Sequence, residues 1–443
     1  MSLEFHKYEL GDLCNISSSK RIFAREYVDE GIPFYRGKEI IELFNNRDVS
    51  TELFITTEKY ESIKEKYGVP EKGDILLSSV GTLGVPYLVK DEKFYFKDGN
   101  LTWFKDFNSK LNNKFLYWWL QSIDAKYQIN NKCIGSTQKA LPIKTLEKFD
   151  IDLPPLKTQE QIVDILENIS NKIKANISIN KNLTEISTRQ FSHLMNNNIE
   201  EYLELKDICK FIKGRKPKEI SEQYKSNFSN YLTIEVLSNQ NHTYAYDEKG
   251  IIANEYDILM VMDGASSGKL FYGKQGLVGS TLAKIDVDKE YLEIIYQFLK
   301  FNEKYISDNT TGSAIPHTDK GLVLNLKCPI SKKILDYSEF FKTIRSSIIL
   351  NNNEIIKLQK LRDTLLPKLM SGEIDVTKIN CDLKIIIIKF ILNPLKYLWR
   401  HLNENKDYIQ NTKSNETLFE SRTIYKIDKF FIKFTSRYRD YRQ

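Results

Sequence analysis

The uninterrupted stretch at residues 158–195 decides how the chain is organised, and it reads TQEQIVDILENISNKIKANISINKNLTEISTRQFSHLM. It contains neither proline nor glycine, and its apolar or uncharged residues recur at alternating spacings of four and three, a pattern typical of a coiled-coil seam. We predict one helix about 50 Å long, at 1.5 Å per residue. The seam positions are Ile162, Leu166, Ile169, Ile173, Asn176, Asn180, Leu183, Ser187, Gln190 and Leu194.

A second stretch, Ser338 to Leu366, repeats the alternation. If the two helices pack antiparallel, Asn176 or Asn180 lies near the level of Asn351, where buried polar residues can fix register and orientation. The sequence equally allows these asparagines to face solvent. The second seam consists of Phe341, Ile344, Ile348, Asn351, Ile355, Leu358, Arg362, Leu365 and Leu369.

The segments that precede the two helices repeat one another. Each short match is weak alone, but several in the same order are hard to produce by chance. The offset between the copies falls steadily along the chain, as expected if they share one order of elements and differ in loop length. The matches are LGDLC at 10–14 with LKDIC at 205–209, GDILL at 73–77 with YDILM at 256–260, and Gly-Ser at 135–136 with Gly-Ser at 312–313.

Each copy combines predicted strands with predicted helices. The runs ILLSSV and PYLV at 75–89, and ILMVM and KLFYG at 258–273, predict strands joined by tight turns. Helices are expected at 114–127 and 290–306. The fold class is therefore α+β, with two duplicated α/β domains joined by two long antiparallel coiled-coil helices. The predicted boundaries are 1–153 for the first unit, 154–199 for the first long helix, 200–333 for the second unit, 334–376 for the second long helix and 377–443 for a basic extension.

Charge and cysteine usage limit the class of protein. From Val376 onward the chain has 14 Lys and Arg but only 7 Asp and Glu, whereas residues 1–375 have 51 Lys and Arg and 52 Asp and Glu. Because the main body is not basic overall, a DNA-binding face there must be a local patch. The five scattered cysteines indicate buried thiols in a reducing cytosol rather than a zinc module or disulfides. No signal peptide or membrane span is visible, so we expect a cytoplasmic protein.

Motifs for chemistry on DNA are absent from the sequence. Asn393-Pro394-Leu395-Lys396 lacks the second proline and the aromatic residue of an amino-methyltransferase motif, and none of the eleven prolines precedes an aspartate, as a nuclease core would require. The segment GASSGKL at 264–270 resembles a P-loop, but it has too few residues between the glycines and no Ser or Thr after the lysine. We predict a structural hairpin there and no catalytic residues.

Three groups of polar residues could contact DNA, because base edges need hydrogen-bonding groups and phosphates need cations. The basic group is Lys20, Arg21, Lys213, Arg215 and Lys216. The glycine-turn group is Ser78, Ser79, Thr82, Asp263, Ser266, Ser267 and Lys269. The late Gly-Ser group is Ser136, Thr137, Gln138, Lys139, Ser313, His317 and Thr318.

Several motifs resemble those of the specificity subunits of type I restriction–modification systems. The segment LPPLKTQEQIV at 153–163 is similar to the start of that family's central conserved region, and LRDTLLPKLMSGEI at 361–374 is similar to its C-terminal ending. GSTQ at 135–138 and GSAI at 312–315 match a recurring element of its target-recognition domains. Together with the duplication, the resemblance covers about residues 5–376.

The resemblance implies a non-catalytic subunit with two target-recognition domains, each reading half of a bipartite, asymmetric site in double-stranded DNA. The long helices would act as a spacer and dock two methyltransferase subunits, and restriction subunits would join them. S-adenosylmethionine, ATP and Mg²⁺ would belong to those partners, with no cofactor in this chain. The expected docking residues are Gln159, Gln161, Ile162, Leu166, Leu365 and Leu369.

The chain departs from the family pattern in two places. The joint before the second helix is reduced to CPISKK at 328–333, and the extension after Val376 runs past the usual end. A non-catalytic coiled-coil scaffold, or an orphan DNA-binding protein without an active restriction system, is the alternative. A self-sufficient nuclease or methyltransferase is a further alternative, against which the missing motifs argue.

Overall fold

A computed structural model describes residues 4–45, 47–135, 139–196, 201–238, 242–312 and 314–378. The part of the chain up to Lys378 forms one compact unit, in which two similar α/β units are joined by two long helices. The predicted extension, apart from its first two residues, lies outside the described residues.

The first unit consists of short strands with helices between them. Its strands are β1 (His6–Glu9), β2 (Asn15–Ser17), β3 (Ile32–Tyr35), β4 (Phe54–Ile55), β5 (Ile75–Ser78), β6 (Pro86–Leu88), β7 (Tyr95–Phe96), β8 (Leu101–Lys105) and β9 (Asp150–Leu153). Its helices are α1 (Gly37–Phe44), α2 (Thr57–Tyr67), α3 (Asn113–Trp119), α4 (Ile123–Lys132) and α5 (Ile143–Glu147). The first long helix, α6 (Leu156–Met195), follows directly.

The second unit has the same plan. Its strands are β10 (Tyr202–Glu204), β11 (Cys209–Lys213), β12 (Glu219–Ser221), β13 (Ser229–Leu232), β14 (Tyr244–Tyr246), β15 (Ile252–Ala253), β16 (Ile258–Val261), β17 (Leu270–Phe271), β18 (Gly276–Val278), β19 (Leu282–Val287) and β20 (Lys327–Pro329). Its helices are α7 (Leu205–Ile208), α8 (Ile234–Leu237), α9 (Leu292–Phe301), α10 (Glu303–Asp308), α11 (Lys320–Leu324) and α12 (Lys332–Leu335). The second long helix is α13 (Ser338–Met370).

Sheet topology shows that the two units are copies of one design. A four-stranded antiparallel sheet has the order β2-β8-β5-β6 in the first unit and β11-β19-β16-β17 in the second. Beside it, β3 pairs in parallel with β7, as β13 does with β18. The first and last strands of each unit, β1 with β9 and β10 with β20, also pair. The predicted strand hairpins at 75–89 and 258–273 are therefore confirmed.

The two predicted intermediate helices are each divided in two, so continuous helices over 114–127 and 290–306 were wrong. Ser122 interrupts the helix predicted at 114–127, because its side chain accepts a hydrogen bond from the backbone amide of Ala125 and caps the start of α4. Asn302 ends α9, because its side-chain amide nitrogen donates to the backbone carbonyl of Phe298 at 2.8 Å. Side chains that bond the backbone locally compete with helix continuation.

The second long helix continues through Pro367 and ends at Met370, inside the range 334–376 expected for it. Pro367 lacks an amide proton and normally disfavours a helix interior. Here the last turn is held by packing, since Leu369 and Met370 are 1% and 5% exposed. The amide of Ser371 donates to the carbonyl of Pro367 at 3.0 Å and closes the helix.

The two long helices contact each other through a polar layer and run in opposite directions. Asn351 donates to the side-chain oxygen of Asn180 at 2.8 Å, and Asn180 donates to Asn352 at 2.9 Å. Further along, Asn176 donates to Glu354 at 2.7 Å. Lower numbers on α6 thus pair with higher numbers on α13. The prediction that an asparagine of α6 meets Asn351 is confirmed.

The beginning of α6 is fastened to the first unit by Gln159. Its side-chain oxygen accepts a hydrogen bond from the amide of Asn112 at 2.9 Å. Its nitrogen donates to the carbonyls of Lys110 and Pro154 at 2.9 and 3.0 Å. Every hydrogen-bonding group of this amide apart from one lone pair is thereby used, so the helix starts at a defined point on the unit.

The beginning of α13 is fastened to the second unit by a buried ion pair. Arg345 is 1% exposed, and its guanidinium donates to Glu293 of α9 at 2.5 Å and to the carbonyl of Tyr256 at 2.9 Å. The rings of Tyr256, Tyr272 and Tyr296 surround the guanidinium at 5.6 to 5.7 Å. Burial raises the pKa of Glu293, and the charge of Arg345 opposes that shift.

The cysteines within the described residues are free thiols, and three of the four are buried. Burial raises the pKa of Cys14 to about 12 and that of Cys209 to about 11. The prediction of buried thiols is confirmed for these residues and for Cys328; Cys381 lies outside the described residues. In the described part of the chain no helix has the length and apolarity needed to span a membrane.

Candidate nucleic-acid interface

In the first unit, the glycine turn after β5 lies beside the hairpin after α4. The amide of Gly81 donates to the carbonyl of Lys139 at 3.2 Å, and the amide of Leu141 donates to the carbonyl of Ser79 at 2.9 Å. Ile134 and Ala140 exchange two hydrogen bonds and close the hairpin. Two segments far apart in sequence therefore form one surface, which we call the first junction (residues 79–84 with 134–135 and 139–141).

The second unit builds the same arrangement after β16. The amide of Gly264 donates to the carbonyl of Pro316 at 2.9 Å, and the amide of Thr318 donates to the carbonyl of Met262 at 2.8 Å. Thr311 and His317 exchange the two hydrogen bonds that close this hairpin. We call this surface the second junction (residues 262–269 with 311–312 and 314–318). It repeats the first junction bond for bond.

A glycine with a left-handed backbone ends each turn and packs on the neighbouring helix. Gly84 has φ 78°, and a β-carbon there would lie 2.7 Å from the side chain of Ile129 in α4. Gly268 has φ 89°, and a β-carbon there would lie 2.9 Å from the hydroxyl of Ser307 in α10. Only glycine combines this backbone with so close an approach, so both positions require glycine.

The predicted basic residues are exposed, but most are already paired with acids. Arg21 bonds Asp98 at 2.7 Å, and Arg215 bonds Asp247 at 3.0 Å. Lys213 bonds Asp263 at 3.0 Å. Lys20 lies over the ring of Tyr67 at 5.1 Å. Exposed ion pairs are weak, so phosphate groups can compete for these cations. Lys216 is exposed as well.

Four of the predicted contact residues are buried and support the junctions instead. Ser78 accepts from the amide of Val85, and Ser79 bonds the hydroxyl of Thr102. The hydroxyl of Ser267 donates to carbonyls of both the turn and the hairpin, and that of Thr318 donates to Val261. These side chains are 1% to 6% exposed. Direct contact with DNA does not fit their positions, because each hydroxyl is used inside the unit.

The remaining turn and hairpin residues lie at the surface. Thr82, Lys139, Lys269 and His317 are exposed, and Asp263 and Ser266 are partly exposed. Lys269 lies over the ring of Phe271 at 5.1 Å. Ser136, Thr137, Gln138 and Ser313 lie outside the described residues.

The second junction borders a groove of about 260 Å³ that also contains residues not predicted from the sequence. Ser307 and Thr310 line it together with Ser266 and Lys269. No local motif marks Ser307 or Thr310, because α10 reaches the turn only through the fold. The described residues contain no group of three or more His, Cys, Asp or Glu that could hold a metal ion.

Most of the residues expected to dock partners are covered by this chain itself. Gln159, Ile162, Leu166 and Leu369 are 0% to 1% exposed, so a contact with another protein does not fit their positions. Gln161 and Leu365 are partly exposed. The exposed apolar residues of α13 are Leu350, Ile356 and Leu361, which the seam pattern does not include.

A comparison with protein families matches two segments of the chain, residues 3–185 and 199–360, to one and the same domain. Its description is the type I restriction modification DNA specificity domain. The two matched segments correspond to the two copies found in the sequence and in the sheet topology.

Individual relatives carry similar descriptions. The chain is 31% identical over 175 residues to the type I restriction enzyme MjaVIII specificity subunit of Methanocaldococcus jannaschii, covering 36% of this chain and 41% of that protein. It is 36% identical over 169 residues to a putative type I specificity subunit, S.HindORF215P, of Haemophilus influenzae, covering 37% and 41%. Each match thus spans less than half of the relative's length.

A crystal structure shares the fold. The type I restriction–modification S subunit from M. genitalium superposes with a TM-score of 0.56 at 17% identity, over 83% of this chain and 96% of that one. At this identity the likeness concerns the fold alone.

Proposed function

The chain belongs to the family of type I restriction modification DNA specificity domains, and from this membership we propose that it directs a methyltransferase and restriction complex to a split DNA sequence. The first junction reads one half-site in double-stranded DNA and the second junction reads the other. The family is one of specificity subunits, so the chemistry is assigned to partner subunits that carry S-adenosylmethionine, ATP and Mg²⁺.

One observation carries this proposal: the two junctions repeat one another in backbone structure but differ in their side chains. Gly81 and Gly264 make the same backbone contact, whereas Val80 and Ala140 of the first bridge are replaced by Asp263 and His317 in the second. A constant scaffold with variable exposed groups suits a protein that reads two unlike half-sites, since base edges are distinguished by hydrogen-bonding pattern.

The long helices are proposed to act as a coiled-coil spacer and as the docking surface for two methyltransferase subunits, which restriction subunits then join. Their ends are fastened to the two units, and their polar layer holds one register. The exposed Leu350, Ile356 and Leu361 of α13 support a docking role for its outer face. The proposed domain boundaries remain 1–153, 154–199, 200–333, 334–376 and 377–443.

Methylation mapping by long-read sequencing, in cells with and without the gene, tests the proposal. We expect one split, asymmetric methylated motif to disappear on deletion and to return on complementation. An unchanged methylome in a strain whose partner genes are expressed would contradict the proposal. A coiled-coil scaffold without a DNA role predicts in addition that the chain, purified with its partners, shows no salt-sensitive DNA binding.

A further inference from the structure

Three elements of the second unit bring charged groups together at the second junction. Asp263 follows β16, Lys213 ends β11, and His317 belongs to the hairpin. One carboxylate oxygen of Asp263 lies 3.0 Å from the Lys213 ammonium, and the other lies 2.8 Å from Nδ1 of His317. Each carboxylate oxygen of Asp263 therefore contacts one nitrogen group, that of Lys213 or that of His317.

The bond to Asp263 determines which nitrogen of His317 carries a proton. Burial opposes ionisation of Asp263, but hydrogen bonds from His317 and Lys213 outweigh it, and the pKa of the carboxyl lies below its usual value. A carboxylate can only accept, so Nδ1 must be the protonated nitrogen. In the neutral imidazole, Nε2 is then a hydrogen-bond acceptor.

His317, whose Nε2 is the acceptor, is partly exposed, and its own hairpin packs closely against the ring. The His317 side chain is 48% exposed and that of Asp263 is 25% exposed. Within the described residues, the hydrogen bonds of the His317 ring are confined to Nδ1. A β-carbon at Gly312 would lie 3.0 Å from Cδ2 of the ring and 2.5 Å from the carbonyl of Ile315, so the hairpin closes tightly against the imidazole.

The described residues of the first junction contain no counterpart to this cluster. Strand register places Ser18 where Lys213 stands, and the bridge residues are Val80 and Ala140. Neither of the two apolar side chains can accept a hydrogen bond, so this chemistry belongs to the second unit alone.

We propose that His317 is a specificity-determining residue that accepts a hydrogen bond at Nε2 from the exocyclic amino group of adenine or cytosine, and that Asp263 is the positioning residue that sets its tautomer. This inference rests on the proposed function. In the major groove adenine and cytosine present amino donors, whereas guanine O6 and thymine O4 are acceptors that repel an acceptor. Lys213 keeps donors free for a neighbouring guanine or phosphate.

The test compares the methylomes of cells that express the partners together with wild type, His317→Ala, Asp263→Asn or a control. The control is His6→Ala in β1 of the first unit, a side chain that is 61% exposed. His317→Ala should relax one position of one half-site from adenine or cytosine to mixed bases, with discrimination reduced about tenfold. Asp263→Asn can donate to Nδ1, so the proton moves to Nε2 and guanine or thymine becomes preferred there.

If neither variant alters the wild-type motif, the inference is overturned and the proposed function stands. If wild type shows no split motif at all, the proposed function itself is contradicted. If a variant abolishes methylation, the purified complex is titrated with duplexes that carry each base at the position; retained selection for the amino base by His317→Ala overturns the inference. Nitrogen-15 histidine spectra of the full chain, which has five histidines, give a DNA-independent readout. A His317 protonated at Nε2 in wild type also overturns it.

Discussion

Glu39 shows what a single buried carboxylate does for the start of a helix. It is 0% exposed, and it accepts hydrogen bonds from the backbone amide of Arg36 at 2.8 Å and from its guanidinium at 2.7 Å. The residue therefore caps α1 and neutralises a cation at once. Burial opposes its ionisation, but the bonds from Arg36 outweigh this effect and lower the pKa of Glu39.

Glu39→Gln should remove a pH-dependent part of the stability. Because the folded pKa is depressed, the stabilisation is present above the unfolded value of about 4.3 and is lost as pH falls through the folded pKa. We expect urea unfolding of the variant to show a lower midpoint at neutral pH and a smaller loss between about pH 5 and 3 than wild type. Identical pH profiles would contradict the assigned role. Glu65→Gln, at the exposed face of α2, is the control.

The contact between α6 and α13 includes a mixed polar layer beside the apolar cluster of Leu183 with Ile344. Lys172 is 6% exposed and lies 3.6 Å from Glu354, which also accepts from Asn176. Burial lowers the pKa of Lys172, while the attraction to Glu354 opposes that shift. Since a buried charge is tolerated only with its partner, this layer allows one register of the two helices.

Glu354→Leu should destabilise the protein by about 2 to 4 kcal/mol, because it leaves Lys172 buried without an acid. The double variant Lys172→Met/Glu354→Leu should regain most of that loss, since well-packed apolar residues replace buried ion pairs at little cost. Urea unfolding followed by circular dichroism measures both. Asp48→Ala is the control, because it breaks an exposed pair with Lys181 on the same helix. A loss in Glu354→Leu no larger than in the control would refute the interpretation.

At the scale of the whole molecule, each unit completes its own junction. The hydrogen bonds of the first junction join residues 79–81 to 139–141, and those of the second join 262–264 to 316–318. Gln159 and Arg345 fasten the long helices to different units. The hydrogen bonds that build one junction therefore share no residue with those that build the other.

Matched substitutions in the two turns test this independence. Thr82→Asn and Ser266→Asn each replace a surface hydroxyl in equivalent turns, so each should alter base preference in one half of the split motif and leave the other half and the gap unchanged. Methylome mapping of both variants provides the measurement. Either variant changing both halves would show that the units do not read separately. Free energies of unfolding within about 0.5 kcal/mol of wild type are expected for such surface changes.

The sequence by itself determined the duplication and both long helices, and it limited the partner of Asn351 to Asn176 or Asn180 if the helices pack antiparallel. These features follow from local periodicity, because apolar positions spaced three and four apart define one helix face and its register. The strand pairs around the two glycine turns were predictable for a similar reason, since apolar runs broken by glycine indicate hairpins.

Only the tertiary structure decided which polar residues reach the surface. Ser78 and Thr318 appear in the sequence as surface candidates, yet their hydroxyls are used inside the units. The sequence predicts Gln159 as a docking residue, yet its side chain is hydrogen-bonded to the first unit and attaches α6 to it. Asp263 and His317 are separated by 54 positions in the sequence, and no local sequence pattern predicts their contact. Burial and such pairings arise from the packing of distant segments, which helical and strand periods do not encode.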